Sequence, residues 1–286
     1  MQRKYLLLLF LLVGLATQVY ATCIVTDDIG KQIHLTKPAQ RIISLAPDLT
    51  ENLFAIGAGQ FVKGVIEGSD FPIEAQKILS VGSFTGIDLE RILFLHPDLI
   101  VTWSNTFSLQ LAFFKQLNIP IYTANPHQLE DIPHTLNNLG CLTGNTLQAA
   151  HEAQIFSHRL TALSQQYAAR KKITVFYQIG NYSLITINKN SWINQVITLC
   201  GGQNVFANAA TIAPEISWES VVVANPQVII SDMTTANWKK SWLSWPEIRA
   251  VQHHFLFNIP PDLMERASPR LLNGASQLCQ YLEMAR

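Results

Sequence analysis

Charged residues are scarce in this chain, and neither sign is in excess. They make up 14% of the 286 residues, with 20 lysines and arginines against 20 aspartates and glutamates. Disordered chains combine high charge with low hydrophobicity, whereas 48% of this chain is apolar. Nucleic-acid-binding proteins favour a dense basic patch. The composition therefore excludes a disordered chain and argues against a nucleic-acid partner, and the length predicts one or two domains.

The chain also lacks an apolar run of 18 or more residues, so we predict no membrane-spanning helix. The Leu-rich run 5–16 is shorter than a membrane span; it follows Arg3 and Lys4 and precedes the small-residue site at 19–21. A positive start, a short apolar centre and such a site are typical of a secretory signal. We predict that residues 1–21 are a signal peptide cleaved after Ala21 and that the protein is exported in soluble form. A buried N-terminal helix is the alternative.

Cysteine is rare as well, and four residues are too few for a disulfide scaffold. Export nevertheless permits disulfides, because the compartment is oxidising. We favour a Cys200–Cys279 bridge, since both residues lie in the second half beside helical patterns; four buried thiols are the alternative. The pairing of Cys23 and Cys141 stays open. Lipidation of Cys23 also stays open, although the flank 20–22 is poor for a lipoprotein signal.

Familiar catalytic motifs are missing. The chain has no GxxxxGKS/T phosphate loop, no HExxH and no GxSxG. His151 and His158 are seven residues apart on a predicted helix, and His253 and His254 are neighbours at a strand start, where they point to opposite faces. We therefore expect no metal site, no resident cofactor and no catalysis. A secreted α/β enzyme that uses an unfamiliar site is the alternative.

What the chain does have is an alternation of short apolar segments with helical patterns. Unbroken apolar runs of this size are typical of strands buried on both faces of a parallel sheet. Helical patterns such as 49–56 and 109–117 supply the crossovers, so the alternation predicts an α/β fold. A hairpin of 24–26 and 32–35 precedes it, around an Asp- and Gly-containing turn. The predicted strands are 42–45, 64–66, 99–102, 120–122, 174–178, 228–231 and 255–258.

The middle of the chain predicts one long helix. Residues 145–172 contain no glycine or proline, and Phe156, Leu160 and Tyr167 recur at helical spacing. Asn145 is the expected N-cap. A helix of about 25 residues would be about 38 Å long, which is long for a crossover. We predict a rigid strut at 144–171 that joins an N-terminal lobe, 22–143, to a C-terminal lobe, 172–286.

The two predicted lobes contain similar segments. Glu90 begins a helical pattern that stops at Pro97 before a buried strand, and Glu219 begins the same pattern before Pro226. The two copies are 129 residues apart, and in each the proline follows the glutamate by seven residues. Proline bars continuation of the helix, so each copy predicts helix, stop and strand. The repeat favours two similar α/β units, with chance similarity as the alternative.

Several segments resemble a known family. The likeness lies in the pattern DDxG at 27–30, the segment RIISLAP at 41–47 with Thr50-Glu51, and GSFTGIDLERI at 82–92 followed by HPDLIV at 96–101. These segments are similar to those of periplasmic binding proteins for vitamin B12 and ferric siderophores. Segments 194–196, 200–202 and 204–206 continue the match, and ERASPR at 265–270 looks more like the members that bind vitamin B12. The likeness covers residues 24–286 almost without gaps.

This resemblance implies two Rossmann-like α/β lobes joined by one long rigid helix, with the ligand in the cleft between them. It implies a periplasmic solute-binding protein, expected to be a monomer when free. Such a protein captures cobalamin (vitamin B12) and delivers it to the permease and ATPase of an ABC importer. A ferric siderophore or haem on the same scaffold is the alternative. In this family a glutamate on each lobe docks into arginines of the permease, and motif position assigns these roles to Glu90 and Glu219. The alternative is that each glutamate merely complements its helix N-terminus.

The candidate ligand-binding residues follow from topology, because ligands of open α/β sheets lie beyond the carboxyl ends of the strands. A corrin is a broad, mostly apolar ring with amide fringes, so it needs apolar walls and a few polar groups. We expect Trp103 to be a wall, Leu263 and Met264 to be soft contacts, and Asp262 and Arg266 to meet the amides. The alternatives are that Trp103 packs in the core and that Arg266 pairs within the protein. The full candidate set is Pro47, Ser69, Asp70, Phe84, Trp103, Tyr182, Asp262, Leu263, Met264, Glu265 and Arg266.

Three positions depart from the pattern of the family's vitamin B12 binders, which line the cleft with several aromatic residues. Gly68, Ile185 and Ala213 stand where bulky rings are expected, and Tyr182 is placed to refill part of that space. The departures predict a roomier pocket, weaker binding or a different corrinoid.

The alternative ligands need other side chains. An anionic siderophore complex would need an arginine or tyrosine cluster, and near the cleft we find only Arg266 and Arg270, of which Arg270 is expected to face away. Haem would need a tyrosine or histidine ligand, for which Tyr182 is the sole candidate.

Overall fold

The structure is a computed structural model that describes residues 22–104, 106–180, 183–233, 235 and 237–286. The predicted signal peptide, residues 1–21, and the candidate ligand-binding residue Tyr182 lie outside the described residues. Within the described ranges, no helix combines the length and apolar character that crossing a bilayer requires.

The first lobe consists of a hairpin and a parallel sheet covered by helices. Its strands are β1 (Cys23–Thr26), β2 (Gln32–Leu35), β3 (Ile42–Ser44), β4 (Val62–Val65), β5 (Leu79–Ser80), β6 (Gly82–Ser83), β7 (Gly86–Ile87), β8 (Leu99–Trp103) and β9 (Ile121–Ala124). Its helices are α1 (Pro47–Ala55), α2 (Leu89–Phe94), α3 (Ser108–Gln116) and α4 (Asp131–Thr143). Strands β5-β4-β3-β8-β9 form the sheet in that order, all parallel. Because successive side chains of a strand point to opposite faces, Ile42 and Ile43 pack into two different apolar clusters, one on each side of the sheet.

A single long helix, α5 (Thr146–Tyr167), follows the first lobe. Its 22 residues span about 33 Å. It packs on α4, and its buried face belongs to a core cluster that contains residues of both lobes. Asn145 does not act as the expected side-chain cap; its amide instead donates to the carbonyl oxygen of Ile56 at 2.9 Å and ties the helix start to the end of α1. The lobe boundaries at 143/144 and 171/172 stay predictions.

The second lobe repeats the parallel α/β plan. Its strands are β10 (Ile173–Gln178), β11 (Leu184–Ile185), β12 (Gly202–Asn204), β13 (Glu215–Ile216), β14 (Val228–Ser231) and β15 (Leu256–Asn258). Its helices are α6 (Trp192–Leu199), α7 (Trp218–Ala224), α8 (Trp238–Trp242), α9 (Arg249–Gln252) and α10 (Leu271–Met284). Strands β12-β10-β14-β15 form a parallel sheet, and β11 pairs with β13 in a separate antiparallel ribbon. The predicted two-lobed α/β architecture is confirmed.

Each lobe contains one disulfide bond. Cys200 at the end of α6 is bonded to Cys279 of α10, the pairing that the sequence favoured. Cys23 of β1 is bonded to Cys141 of α4, with a Cα–Cα distance of 5.7 Å. The sulfur of Cys23 is therefore engaged in a bridge, which is incompatible with the thioether of a lipoprotein. Both bridges tie a strand or helix to a helix more than 70 residues away and close the cores of their own lobes.

Candidate functional site

The carboxyl ends of the two sheets face each other across a seam between the lobes. Arg266 follows β15 of the second lobe, and its guanidinium donates to the carbonyl oxygen of Gly68 at 3.0 Å and to Asp70 Oδ1 at 2.6 Å. Gly68 and Asp70 follow β4 of the first lobe. Loops that leave the carboxyl ends of both sheets thus meet, which is where open α/β folds hold their ligands. These loops define the candidate cleft.

An aromatic pair forms one wall of the cleft. Trp103 is the last residue of β8, and Phe84 lies in the turn between β6 and β7. The ring centroids are 6.0 Å apart and the ring planes differ by 25°. The side chain of Phe84 is 54% exposed, so the pair presents apolar surface to solvent. An exposed aromatic face of this kind suits a flat, largely apolar ligand.

Asp48 lies beneath this wall, at the start of α1. It is buried, and its Oδ2 accepts a hydrogen bond from Trp103 Nε1 at 3.0 Å, which fixes the indole ring. Burial raises the pKa of Asp48 to about 7, although the bonds from Trp103 and from the Leu49 backbone amide lower it in part. None of the described residues donates to Oδ1. The wall is therefore backed by a carboxyl group that has a hydrogen-bonding oxygen to spare.

A buried ion cluster joins the lobes at this seam. Glu51 of α1 is almost fully buried; its Oε1 accepts bonds from Arg266 Nη1 at 2.8 Å and Arg270 Nη1 at 2.9 Å, and its Oε2 accepts from Ser268 Oγ at 2.5 Å. Next to Glu51, the side-chain amide of Asn52 donates to the carbonyl oxygen of Ala267 at 3.0 Å. Buried charges need partners of this kind, since the cost of desolvation is otherwise large. We call Glu51, Arg266, Ser268 and Arg270 the seam cluster.

Two further carboxylates neutralise the arginines of the seam cluster. Asp70 contacts Arg266, and Asp262 accepts from Arg270 Nη2 at 2.5 Å. Arg270 also lies over the ring of Phe71, 3.9 Å from its centroid. The expectation that Arg270 faces away is wrong, because Glu51 and Asp262 hold it in the seam. The candidates Asp70, Asp262 and Arg266 all lie at the seam, but each is engaged by the protein itself: Asp70 bonds to Arg266, Arg266 to Glu51, and Asp262 to Arg270.

Acidic groups also gather on the second lobe's side. Asp232 follows β14; its carboxyl hydrogen-bonds with that of Glu265, and its Oδ1 accepts from the backbone amide of Gly180 at 3.2 Å. Burial raises the pKa of Glu265, and so does the neighbouring Asp232, while Arg266 lowers it in part. The two carboxyls can therefore share a proton. Nearby, the buried Tyr177 hydroxyl has no hydrogen-bond partner among the described residues.

The other candidate residues differ in how accessible they are. Pro47 is buried at the first position of α1, and Ser69 is buried with its hydroxyl accepting from Thr50 Oγ1 at 3.2 Å. Leu263 is half-buried in the turn after β15. Met264 departs from the expectation of a soft ligand contact, because its side chain is fully buried in the core.

Sequence reasoning missed the polar groups that organise the cleft. Asp48, Glu51 and Asp232 were not among the candidate residues, and neither was Tyr177. Their signal is indirect: Asp232 directly follows the predicted strand 228–231, Asp48 comes three residues after the predicted strand 42–45, and Glu51 lies in the predicted helix 49–56. A charge at such a position needs a partner, but the sequence alone does not indicate which arginine supplies it.

Within the part of the chain that the structure describes, no group of three His, Cys, Asp or Glu side chains is arranged to hold a metal ion. A concavity of about 710 Å³ runs along α5, outside the cleft. Its walls include Leu129, Leu160 and Thr198. Gln195 spans the seam beside it, donating to the carbonyl oxygen of His127 at 2.9 Å and accepting from the amide of Leu129 at 3.1 Å. This groove lies away from the aromatic wall, so we place the ligand site at the cleft.

The two glutamates of the internal repeat occupy equivalent positions. Glu90 is the second residue of α2 and Glu219 is the second residue of α7, and both are exposed. Each helix is capped in the same way: Asp88 accepts from the amide of Arg91, and Ser217 accepts from the amide of Ser220.

The ends of the two helices are equivalent as well. His96 (φ 46°) and Asn225 (φ 44°) both adopt the left-handed conformation before the proline and the following strand. The similarity seen in the sequence is therefore a repeat in three dimensions.

The fold and the paired-lobe cleft define a solute-binding protein of the two-lobed α/β class. The family model for periplasmic binding proteins matches residues 42–263. A curated relative, the vitamin B12-binding protein of Vibrio cholerae serotype O1, is 37% identical over 251 residues, which are 87% of this chain and 91% of the relative. The chain belongs to the periplasmic binding protein family.

Solved structures agree with this assignment. The crystal structure of the periplasmic vitamin B12 binding protein BtuF of Vibrio cholerae matches with a TM-score of 0.80 and 35% identity, covering 87% of this chain and 98% of that one. A periplasmic heme binding protein from Pseudomonas aeruginosa matches with a TM-score of 0.76 and 22% identity, covering 84% of this chain and 91% of that one. The second likeness concerns the fold alone.

Proposed function

We propose that this protein binds cobalamin or a related corrinoid in the cleft between its lobes. The observation that carries the proposal is the exposed Phe84–Trp103 pair at the carboxyl end of the first sheet, backed by Asp48. A corrin ring would lie against the aromatic face. Its amide fringes would donate to carboxyl oxygens, which are abundant at this seam. The vitamin B12-binding relatives at over 30% identity support the same ligand.

The charge of the cleft favours amides over anionic ligands. The two arginines of the seam, Arg266 and Arg270, are each shared between two carboxylates. They would have to give up buried ion pairs in order to bind haem propionates or an anionic siderophore complex. Carboxyl groups such as Glu265 and Asp232 would repel such ligands. A ferric siderophore or haem remains the second candidate only because the same fold carries haem in other proteins.

Calorimetric titration tests the ligand. We expect cyanocobalamin to bind at micromolar or lower concentration and to quench tryptophan fluorescence, whereas haemin and a ferric hydroxamate bind more weakly. Trp103→Ser removes an aromatic wall whose burial contributes about 1.5–3 kcal/mol, so it should weaken binding about ten- to a hundred-fold. Trp103→Phe keeps the ring and should lose less. Trp245→Phe, which alters a ring stacked on Trp218, is the matched control. A response to haemin but none to cyanocobalamin would overturn the proposal.

We further propose that Glu90 and Glu219 dock the loaded protein onto the permease of an ABC importer. Both carboxylates are exposed at equivalent helix starts, so together they form a two-point negative pattern for a partner with repeated basic sites. The Glu219 backbone amide and the Ser217 hydroxyl hold the pKa of Glu219 below its usual value, so it is charged at neutral pH.

Charge reversal tests the docking role. Glu90→Lys with Glu219→Lys should abolish ligand delivery to the importer and leave cobalamin affinity unchanged. Reversal of two other exposed carboxylates, Glu74→Lys with Glu130→Lys, makes the same change in net charge and should leave delivery intact. Loss of cobalamin affinity in the Glu90/Glu219 protein would show that the docking assignment is wrong.

The proposed setting is the periplasm, with residues 1–21 as the export signal. The family and the two disulfides support an exported protein, because disulfides persist in oxidising compartments. We propose a monomeric carrier with no catalytic step and no resident cofactor, in which the corrinoid is cargo.

A further inference from the structure

The internal repeat carries more than a pair of glutamates. Phe94 lies four residues after Glu90 on α2, and Val223 lies four residues after Glu219 on α7. Their side chains are 78% and 86% exposed. Residues four apart share one face of a helix, so each lobe presents an apolar side chain one turn from its glutamate.

Each of these exposed residues belongs to a helix whose other apolar residues are buried or partly buried. Ile92 and Val221, at equivalent positions, are fully buried. A single exposed hydrophobic residue is ordinary on a protein surface. Here the exposure recurs at the same position of two units that share the cap, the glutamate, the buried residue and the left-handed stop. Chance exposure does not account well for that recurrence.

The two helices begin at the edge of the lobes where the cleft opens. The Asp88 amide at the start of α2 donates to the carbonyl oxygen of Val81 at 2.8 Å, just past the carboxyl end of β5. The start of α7 follows β13, which pairs with β11 beside the end of β10. Both glutamates therefore lie toward the carboxyl ends of their sheets, which is the side on which a carrier has to release its ligand.

We propose that Phe94 and Val223 are the apolar half of a two-site docking surface, whose occupant is the membrane permease of the importer. This proposal rests on the proposed function. A partner that fits this surface has two sites, each with a basic side chain next to an apolar recess. One protein surface can match both lobes only if it presents this combination at two places. The carboxylates would steer the approach, and the apolar side chains would slow dissociation once water is excluded.

Binding of the full protein to its importer, purified in lipid nanodiscs, tests this surface. Phe94→Gln with Val223→Gln replaces both side chains by a residue that keeps the helix. We expect about 30- to 100-fold weaker binding to the importer, mostly through a faster off-rate, and unchanged cobalamin affinity. The matched control is Leu147→Gln with Met284→Gln, which changes apolar side chains that are 88% and 66% exposed on α5 and α10. The control should bind within about two-fold of the wild type.

The outcomes separate this inference from the proposed function. If the Phe94/Val223 variant binds the importer as tightly as the control while the Glu90/Glu219 reversal does not bind, the apolar half is wrong and the docking role stands. If the wild-type protein does not bind cobalamin, the proposed function fails first. If the Phe94/Val223 variant loses cobalamin affinity, or if the wild type binds cobalamin but not the importer, the inference is overturned.

Discussion

Removal of Glu51 should destabilise the protein more than any surface charge does. Its carboxylate is buried between Arg266, Arg270 and Ser268, with three bonds of 2.5–2.9 Å. Breaking a buried ion pair by deleting one partner costs about 3–5 kcal/mol, because the other charge stays buried. Asp70 and Asp262 still pair with the arginines, so we expect Glu51→Ala to fall in the lower part of that range, about 3 kcal/mol. For a chain of this size such a loss lowers Tm by about 6–12 °C.

Thermal unfolding followed by circular dichroism measures this loss. The control is Arg170→Ala, which breaks the exposed pair with Glu283 (3.4 Å), a contact of a kind worth about 0–1 kcal/mol. Native-state hydrogen exchange gives a second measurement, since loss of the seam cluster should raise exchange in α1 and in residues 259–270 more than in β10 or β14. If Glu51→Ala lowers Tm no more than Arg170→Ala, the seam cluster does not hold the lobes together.

Three more changes have definite expected outcomes. The folded pKa of Asp48, about 7, lies above its usual 3.8, so the folded state binds more protons than the unfolded state and the free energy of unfolding falls as pH rises from about 4 to 7. Between pH 5 and pH 8 this fall amounts to about 2.5 kcal/mol, which Asp48→Asn should remove in urea unfolding; an equal fall in the wild type and the variant would contradict this. Cys200→Ser with Cys279→Ser removes a bridge with a sequence separation of 79, which restricts the unfolded chain, so the free energy of unfolding in urea should fall by about 4 kcal/mol. A fall of less than about 1 kcal/mol would show that this restriction does not stabilise the protein. His96→Gly removes the strain of a non-glycine residue in the left-handed conformation, so it should raise the free energy of unfolding in urea by up to about 1 kcal/mol. A lower free energy of unfolding would show that contacts of the His96 side chain outweigh this backbone strain.

The buried strands could be predicted almost to the residue, and the short edge strands could not. The segments LIVT at 99–102 and VIIS at 228–231 are apolar throughout, because helices cover both faces, and they match β8 and β14. The strands that were missed, such as β5 and β12, are two or three residues long and contain polar residues or glycine. Their conformation comes from pairing with a longer neighbour, a tertiary effect that short-range patterns do not carry.

The candidate site was predictable in its apolar part only. Trp103 was expected at the end of a buried strand, and it lies there beside Phe84. The polar part depends on contacts between residues far apart in sequence: Arg266 meets Glu51 over a separation of 215 residues. No periodicity relates the two. The sequence left open whether Arg266 meets a ligand amide or pairs within the protein, and it did not identify Glu51 as the partner.

Both covalent crosslinks lie inside a lobe, and neither the Cys23–Cys141 nor the Cys200–Cys279 bridge crosses the seam. The angle between the lobes is thus left to α5 and to reversible polar contacts such as the seam cluster. The stability of each lobe is therefore separable from the angle between the lobes. Substitutions at the seam can change that angle while the disulfide bond inside each lobe stays intact. A pair of fluorophores placed on the two lobes would report a change in the distance between them and leave both disulfide bonds intact.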